Sequence, residues 1–273
     1  MAVSKRIAAL FSRPNKAAFM PFFTVGDPDI ATTAALVREA AARGADLIEL
    51  GVPFSDPIAD GPVIQASYYR ALDKGFKLAQ LFEMVRDLRA GGLTIPLVCM
   101  VSQTLVYKRK LEKFCADAAQ AGFDGLIIPD LPAGYEGEAG KAAQHAGLDL
   151  IFLCAPTTTP ARRDLIAKRA SGFVYYISIA GITGTRTALP EDLEENLRDL
   201  KYRTSTPVCV GFGISTPEQA KAVGKLADGV IVGSALVKQA AELAAKGVNK
   251  EELVKQIGAS VEALAKATHE ARG

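Results

Sequence analysis

Eight apolar runs, regularly spaced along 273 residues and separated by stretches rich in Ala, Glu, Lys and Arg, limit what this chain can fold into more than any other feature. They are AFMPFFTV (18–25), DLIELGV (46–52), IPLVCMV (95–101) and DGLIIPD (124–130), then LDLIFLCA (148–155), FVYYISI (173–179), PVCVGFG (207–213) and DGVIVGS (228–234). Each is nearly continuous in apolar residues rather than alternating, the pattern of parallel strands covered on both faces. Between them, stretches such as IATTAALVREAAARG and EGEAGKAAQHAG are good helix formers that end in glycine. Helix starts are marked at Thr216-Pro217-Glu218, a threonine cap with a first-turn proline, and at Leu189-Pro190-Glu191-Asp192, with acids in the first turn. Eight β-then-α units with short connections predict an α/β fold of the closed (β/α)8, or TIM, barrel type with an extra N-terminal helix, residues 1–273 forming one domain. An open doubly wound sheet is the structural alternative.

Composition narrows the function by exclusion. Thirty-two basic against thirty acidic residues leave a net charge of +2, too balanced for a nucleic-acid or membrane footprint. No apolar run approaches the roughly 20 residues of a membrane span. The opening MAVSKRIAALFSRP places apolar residues at helical spacing with charges between them, unlike a signal peptide, so a cytoplasmic protein is expected. The four cysteines, Cys99, Cys115, Cys154 and Cys209, show no C-x-x-C spacing and read as buried, reduced thiols.

Two histidines, His145 and His269, cannot form a zinc cluster, and no lysine falls inside a strand run to form a Schiff base. The nearest lysines, Lys168 and Lys201, sit in helical segments and are expected to be solvated. The G-x-G of GFG lacks the remaining glycine and the acidic residue of a dinucleotide fingerprint. No metal or cofactor is expected. What remains is acid–base chemistry on a phosphorylated substrate.

A barrel of this kind keeps its chemistry in the loops after the strands. Glu49 lies inside the second strand run among Leu47, Ile48, Leu50 and Val52. Pointing inward, it would be a carboxyl in an apolar interior with a raised pKa; pointing outward, it would pair with a helix-borne arginine. Asp60 follows in a loop stiffened by Pro53, Pro57 and Pro62, and Asp56 shares that loop, so composition alone does not choose between them. The turns AGITGTR (180–186), GFGIS (211–215) and GSAL (233–236) follow strands six, seven and eight. Glycines there let backbone N–H groups approach a phosphate, and a helix starting at Gly233-Ser234 would aim its positive end at the anion. The Gly- and Thr-rich connection 178–190 is a candidate lid.

The run LGVPFSDPIADGPVIQ resembles the signature of tryptophan synthase alpha subunits. The resemblance continues through PFFTVGDPD (21–29), APTTTPAR (155–162), YYISIAGITG (175–184), GFGIS and DGVIVGSALV, and so spans most of the chain. It implies a lyase that splits indole-3-glycerol phosphate into indole and glyceraldehyde 3-phosphate in tryptophan biosynthesis. It implies Glu49 as general acid–base, Asp60 as the anion facing the indole N–H, and Tyr175 as a supporting tyrosine. Gly184, Gly213, Gly233 and Ser234 match phosphate-binding positions, and Thr183 matches a lid residue that closes toward Asp60. Phe22, Ile64, Met100, Ile127, Leu153, Ile177, Phe212 and Ile231 match the lining of an indole pocket. The implied partner is a beta subunit in an alpha2-beta2 heterotetramer.

After the third strand the family usually carries a tyrosine and an Asn-Pro pair, where this chain reads MVSQTLVYKRK with Ser102 and Thr104. That departure bears on coupling to the partner rather than on the reaction. Three other readings compete: a stand-alone lyase releasing free indole, a non-catalytic allosteric partner of a beta subunit, and a sugar-phosphate isomerase on the same barrel.

Overall fold

A computed structural model of the chain describes residues 3–178, 192–211 and 213–272, and over these residues each apolar run contains a strand shorter than the run itself. In chain order, α1 (Lys5–Phe11) leads into β1 (Ala18–Thr24), α2 (Ile30–Ala42) and β2 (Ile48–Gly51). Two helices, α3 (Pro62–Asp73) and α4 (Leu78–Ala90), precede β3 (Leu97–Met100), and two more, α5 (Gln103–Lys108) and α6 (Leu111–Ala121), precede β4 (Gly125–Ile127). Then follow α7 (Gly137–His145), β5 (Asp149–Cys154), α8 (Pro160–Arg169) and β6 (Val174–Ile177). The chain ends with α9 (Leu193–Arg203), β7 (Val208–Gly211), α10 (Pro217–Leu226), β8 (Gly229–Val232), α11 (Ser234–Ala245) and α12 (Lys250–His269). The strands close as a barrel in the order β1 to β8. The closing pair is parallel, with Ala18 opposite Gly229 and Pro21 opposite Val232, which rules out the open sheet.

Strand runs are longer than strands because their polar ends do a different job. At the N-terminal rim, an acceptor just before each even strand takes a backbone N–H from the first or second residue of the preceding odd strand. Asp46 accepts from Phe19 at 2.9 Å, Asp124 from Leu97 at 2.9 Å, Ser171 from Leu150 at 2.9 Å and Asp228 from Val208 at 2.9 Å. These brackets satisfy donors that the ladder leaves free and pin the register at four points. Cations secure the acids: Arg89 and Arg6 reach Asp124, and Arg13 reaches Asp46, which also lies 2.6 Å from the His269 ring. Lys201, expected to be solvated, instead pairs with Asp228 at 2.9 Å. The rim needs its charge. Lys168 is exposed as expected.

Two apolar layers follow from strand alternation. Phe19, Phe23, Ile48, Leu50 and Cys99 point outward and pack under the helices. Met20, Leu47, Val98, Ile151 and Cys209 point inward, in one cluster with Ile7 and Leu10 of α1. The N-terminal helix therefore stoppers the lower end of the barrel, with Phe11 and Phe173 at 6.0 Å between ring centroids. Access is left at the opposite, C-terminal end of the strands. All four cysteines are buried and free. Among the described residues no helix is long and apolar enough to cross a membrane.

Candidate active site

Inside the upper barrel, the sequence LIEL sets an acid among apolar neighbours. Glu49 on β2 stands in register with Phe22 of β1 and Val98 of β3, is 2% exposed, and has an Oε1 atom with no hydrogen-bond partner. It points inward, and among the described residues no arginine meets it. Burial first, and the negative charge of Asp60 second, push its pKa up to about 8. A carboxyl in this position is protonated at neutral pH and is a proton donor.

Asp60 belongs to the loop between β2 and α3, whose shape is held from below. Its N–H donates to Pro57 O at 3.1 Å, and the Gln65 side chain donates to Asp60 O at 2.8 Å and to Pro57 O at 3.3 Å. Gly61 caps α3 and Pro62 opens it, so the loop must turn at Asp60. The helix is tied to the barrel by Ser67, 2.6 Å from Thr24 Oγ1, and by Arg70, which grips Asp27 with two hydrogen bonds of 3.0 and 2.6 Å. The Asp60 carboxyl is half-buried, and burial together with the charge of Asp130 pushes it up to about 6. Asp56 is exposed and borders a narrower adjoining cleft rather than the one that Glu49 and Asp60 share. Geometry separates the two aspartates that composition could not.

Glu49 and Asp60 line one cleft of about 210 Å³. Phe22, Ile64, Met100 and Ile231 form its apolar wall, and Tyr175 borders it from β6. Tyr175 is 8% exposed, and its ring lies flat over Gly211: a Cβ there would stand 2.3 Å from the phenol oxygen. Burial, then Glu49, then Asp60 hold the phenol far above its ordinary pKa, so it stays a neutral donor. At the other end of the cleft lie Gly213, with φ of 77°, and the start of α11, where Gly233 is the cap and Ser234 the first residue. The first N–H groups of that helix have no carbonyl partner within it and face the cleft with its positive end. An anion fits this end and a heterocycle fits the apolar middle.

Ile127, Leu153 and Ile177 belong to the inward-facing cluster with Met100, Tyr175 and Ile231. Ile127 stands opposite Met100 and Leu153 opposite Tyr175 across their strand pairs, at the level of two residues that line the cleft. Thr183, Gly184, Phe212 and nearly all of the candidate lid lie outside the described residues.

Among the lining groups that sequence reading missed are Tyr68, at a narrow adjoining cleft, and Lys238, each four residues beyond a recognised one (Ile64 and Ser234) and so on the same helix face. Lys238 is 67% exposed and lies 3.8 Å from Glu242, a cation at the end of the cleft suited to an anion. Among the described residues no group of three or more His, Cys, Asp or Glu is arranged to hold a metal ion.

Comparison with known proteins gives a consistent outcome. Residues 8–269 match the family model of the tryptophan synthase alpha chain. The chain is 48% identical over 234 residues to a tryptophan synthase alpha chain of Rhodopirellula baltica, covering 85% of this chain and 84% of the relative. It is 45% identical to that of Gluconacetobacter diazotrophicus, covering 99% and 98%. A crystal structure of tryptophan synthase subunit alpha from Legionella pneumophila is similar, with a TM-score of 0.88, 33% identity and 98% of each chain covered.

Proposed function

The chain belongs to the tryptophan synthase alpha chain family, and on that premise we propose that Glu49 and Asp60 are its two working carboxyls. The activity of the chain is the cleavage of indole-3-glycerol phosphate to indole and glyceraldehyde 3-phosphate in tryptophan biosynthesis, a carbon–carbon lyase reaction. The observation that carries the assignment is the buried, unpartnered Glu49 carboxyl in the same cleft as Asp60, with a helix N-terminus at the far end.

The phosphate tail docks on Gly213, Gly233 and Ser234, with Gly184 added from the resemblance. This leaves the indole between Phe22, Ile64, Met100 and Ile231, with Phe212 completing the set. Protonated Glu49 delivers its proton to C3 of the ring, and the positive charge that develops at the ring nitrogen is stabilised by the Asp60 carboxylate. Ionised Glu49 then takes the proton of the adjacent glycerol hydroxyl. The bond between C3 and the glycerol carbon breaks, its electrons return to the ring, and indole and the aldehyde leave with Glu49 protonated again. Tyr175 supports the acid pair from β6, and the resemblance adds Thr183 as the residue that closes toward Asp60. The contrasting environments divide the roles: the more deeply buried carboxyl is the donor and the half-buried one the anion.

Residues 1–273 act as one barrel domain in the cytoplasm, a setting that suits four free buried thiols. The partner is a beta subunit, in an alpha2-beta2 heterotetramer. Support for a docking surface comes from Ile58, Tyr107 and Tyr135 around the mouth of the barrel, which are 79%, 50% and 73% exposed.

The test compares turnover of indole-3-glycerol phosphate by wild type, Glu49→Gln and Asp60→Asn, with and without a beta subunit. Loss of a positioned acid–base lowers turnover by about 10²–10⁴-fold. Wild-type turnover by Glu49→Gln overturns the mechanism. Full activity without a beta subunit favours the stand-alone lyase.

A further inference from the structure

Tyr68 is a large polar side chain beside the cleft that the mechanism above leaves without a task. It sits on α3 one turn after Ile64, is 3% exposed, and packs with Phe22, Ile64, Val237 and Met100. Its helix is fixed to β1 by the Ser67–Thr24 and Arg70–Asp27 contacts, so the phenol has little freedom to move away. The hydroxyl hangs over Gly51, where a Cβ would come within 2.9 Å of it. Gly51 lies two residues along β2 from Glu49 and therefore on the same strand face. The bare glycine leaves room for the Phe22 ring, 2.3 Å from that position, and for the phenol beside it.

Tyr68 and Asp60 both line a narrow cleft of about 30 Å³ beside the main one, roughly the space of one or two waters. Asp60 is near enough for its charge to act on the phenol. A hydroxyl that can donate and a carboxylate that can accept thus border the same narrow cleft. Charges facing this cleft come from Asp60 and Asp56 on their loop, Glu49 on β2 and Asp130 after β4, with Cys99 on β3 and Tyr175 on β6 behind them. Burial, then Asp60, then Glu49 hold the phenol well above its ordinary pKa, so it can only donate.

We propose that Tyr68 is a positioning residue for Asp60: when substrate fills the cleft, its O–H donates to the Asp60 carboxylate and holds that anion, charged, against the ring nitrogen. The proposal rests on the reading of Asp60 as the anion that faces the ring.

The experiment uses the full chain with its beta subunit and compares wild type, Tyr68→Phe and Asp60→Asn in kcat and KM across pH 5–9. Phe keeps the packing and removes only the hydroxyl. A hydrogen bond to a charged group is worth about tenfold or more. Tyr68→Phe should therefore lower kcat about tenfold near neutrality with KM changed less than about twofold. The acid limb of kcat, which reports the substrate complex, should move about one pH unit higher, because Asp60 loses a group that favours its charged form. The acid limb of kcat/KM, which reports the free enzyme, should stay in place. If both limbs stay and only thermal stability changes, Tyr68 is a packing residue and the proposal is overturned. If Asp60→Asn keeps wild-type turnover, the underlying reading of Asp60 has failed instead.

Discussion

Replacing Glu49 by Gln should make the protein more stable, and the gain should grow with pH. The carboxyl is 2% exposed and has an oxygen without a partner, so the native state holds it protonated up to about 8, whereas the unfolded chain ionises it near 4.5. Between those values the unfolded state binds fewer protons, so stability falls as pH rises. The favourable contribution of the protonated acid is fully present below about 4.5 and is lost as pH rises to about 8. At about 1.4 kcal/mol per pH unit, the full gap corresponds to at most about 5 kcal/mol, of which about 3 kcal/mol develops between pH 6 and pH 9. Glutamine has the same shape and does not titrate. In a chain of this size, 1 kcal/mol moves the melting temperature by about 2–3 °C. Calorimetry of wild type and Glu49→Gln at pH 6, 7, 8 and 9 should show the melting-point difference widening by about 6–9 °C. Other titrating groups largely cancel in that difference. A gap that stays constant with pH refutes the buried, protonated carboxyl.

Two further outcomes follow from the same geometry. The kcat/KM profile of wild type should be bell-shaped with limbs near 6 and 8, because turnover needs Asp60 ionised and Glu49 protonated; a flat profile between pH 6 and pH 9 contradicts that division. Gly211→Ala places a methyl group 2.3 Å from the Tyr175 hydroxyl and 2.7 Å from its ring, so the tyrosine must shift. Its expected cost is about 1–3 kcal/mol in urea unfolding, with a fall in turnover; unchanged unfolding would mean that the ring is not seated there.

Much of this architecture is legible in the amino-acid order, for a physical reason. Strands covered on both faces must be apolar throughout, so runs such as LIFLC stand out against helices that need only one apolar face. The ends of the runs mislead because Asp46, Asp124 and Asp228 look like strand residues but serve as brackets on the neighbouring strand. Function was legible where a carboxyl breaks an apolar run, as Glu49 does. The choice between Asp56 and Asp60 was not, since it depends on how Gln65, on the next helix, latches the loop. Ile127, Leu153 and Ile177 take an inward place from the resemblance, and the strand register sets Ile127 beside Met100 and Leu153 beside Tyr175. Tyr68 escaped notice because a tyrosine on a helix face is ordinarily core, and only the glycine across from it reveals where its hydroxyl goes.

The central claim is that a buried carboxyl keeps its proton at neutral pH beside an ionised one. Carbon-13 NMR of the chain labelled at glutamate carboxyls, with Glu49→Gln identifying the resonance, reads it directly. A Glu49 signal that titrates near 8 agrees with the account. One that titrates near 4.5, like an exposed glutamate, contradicts it.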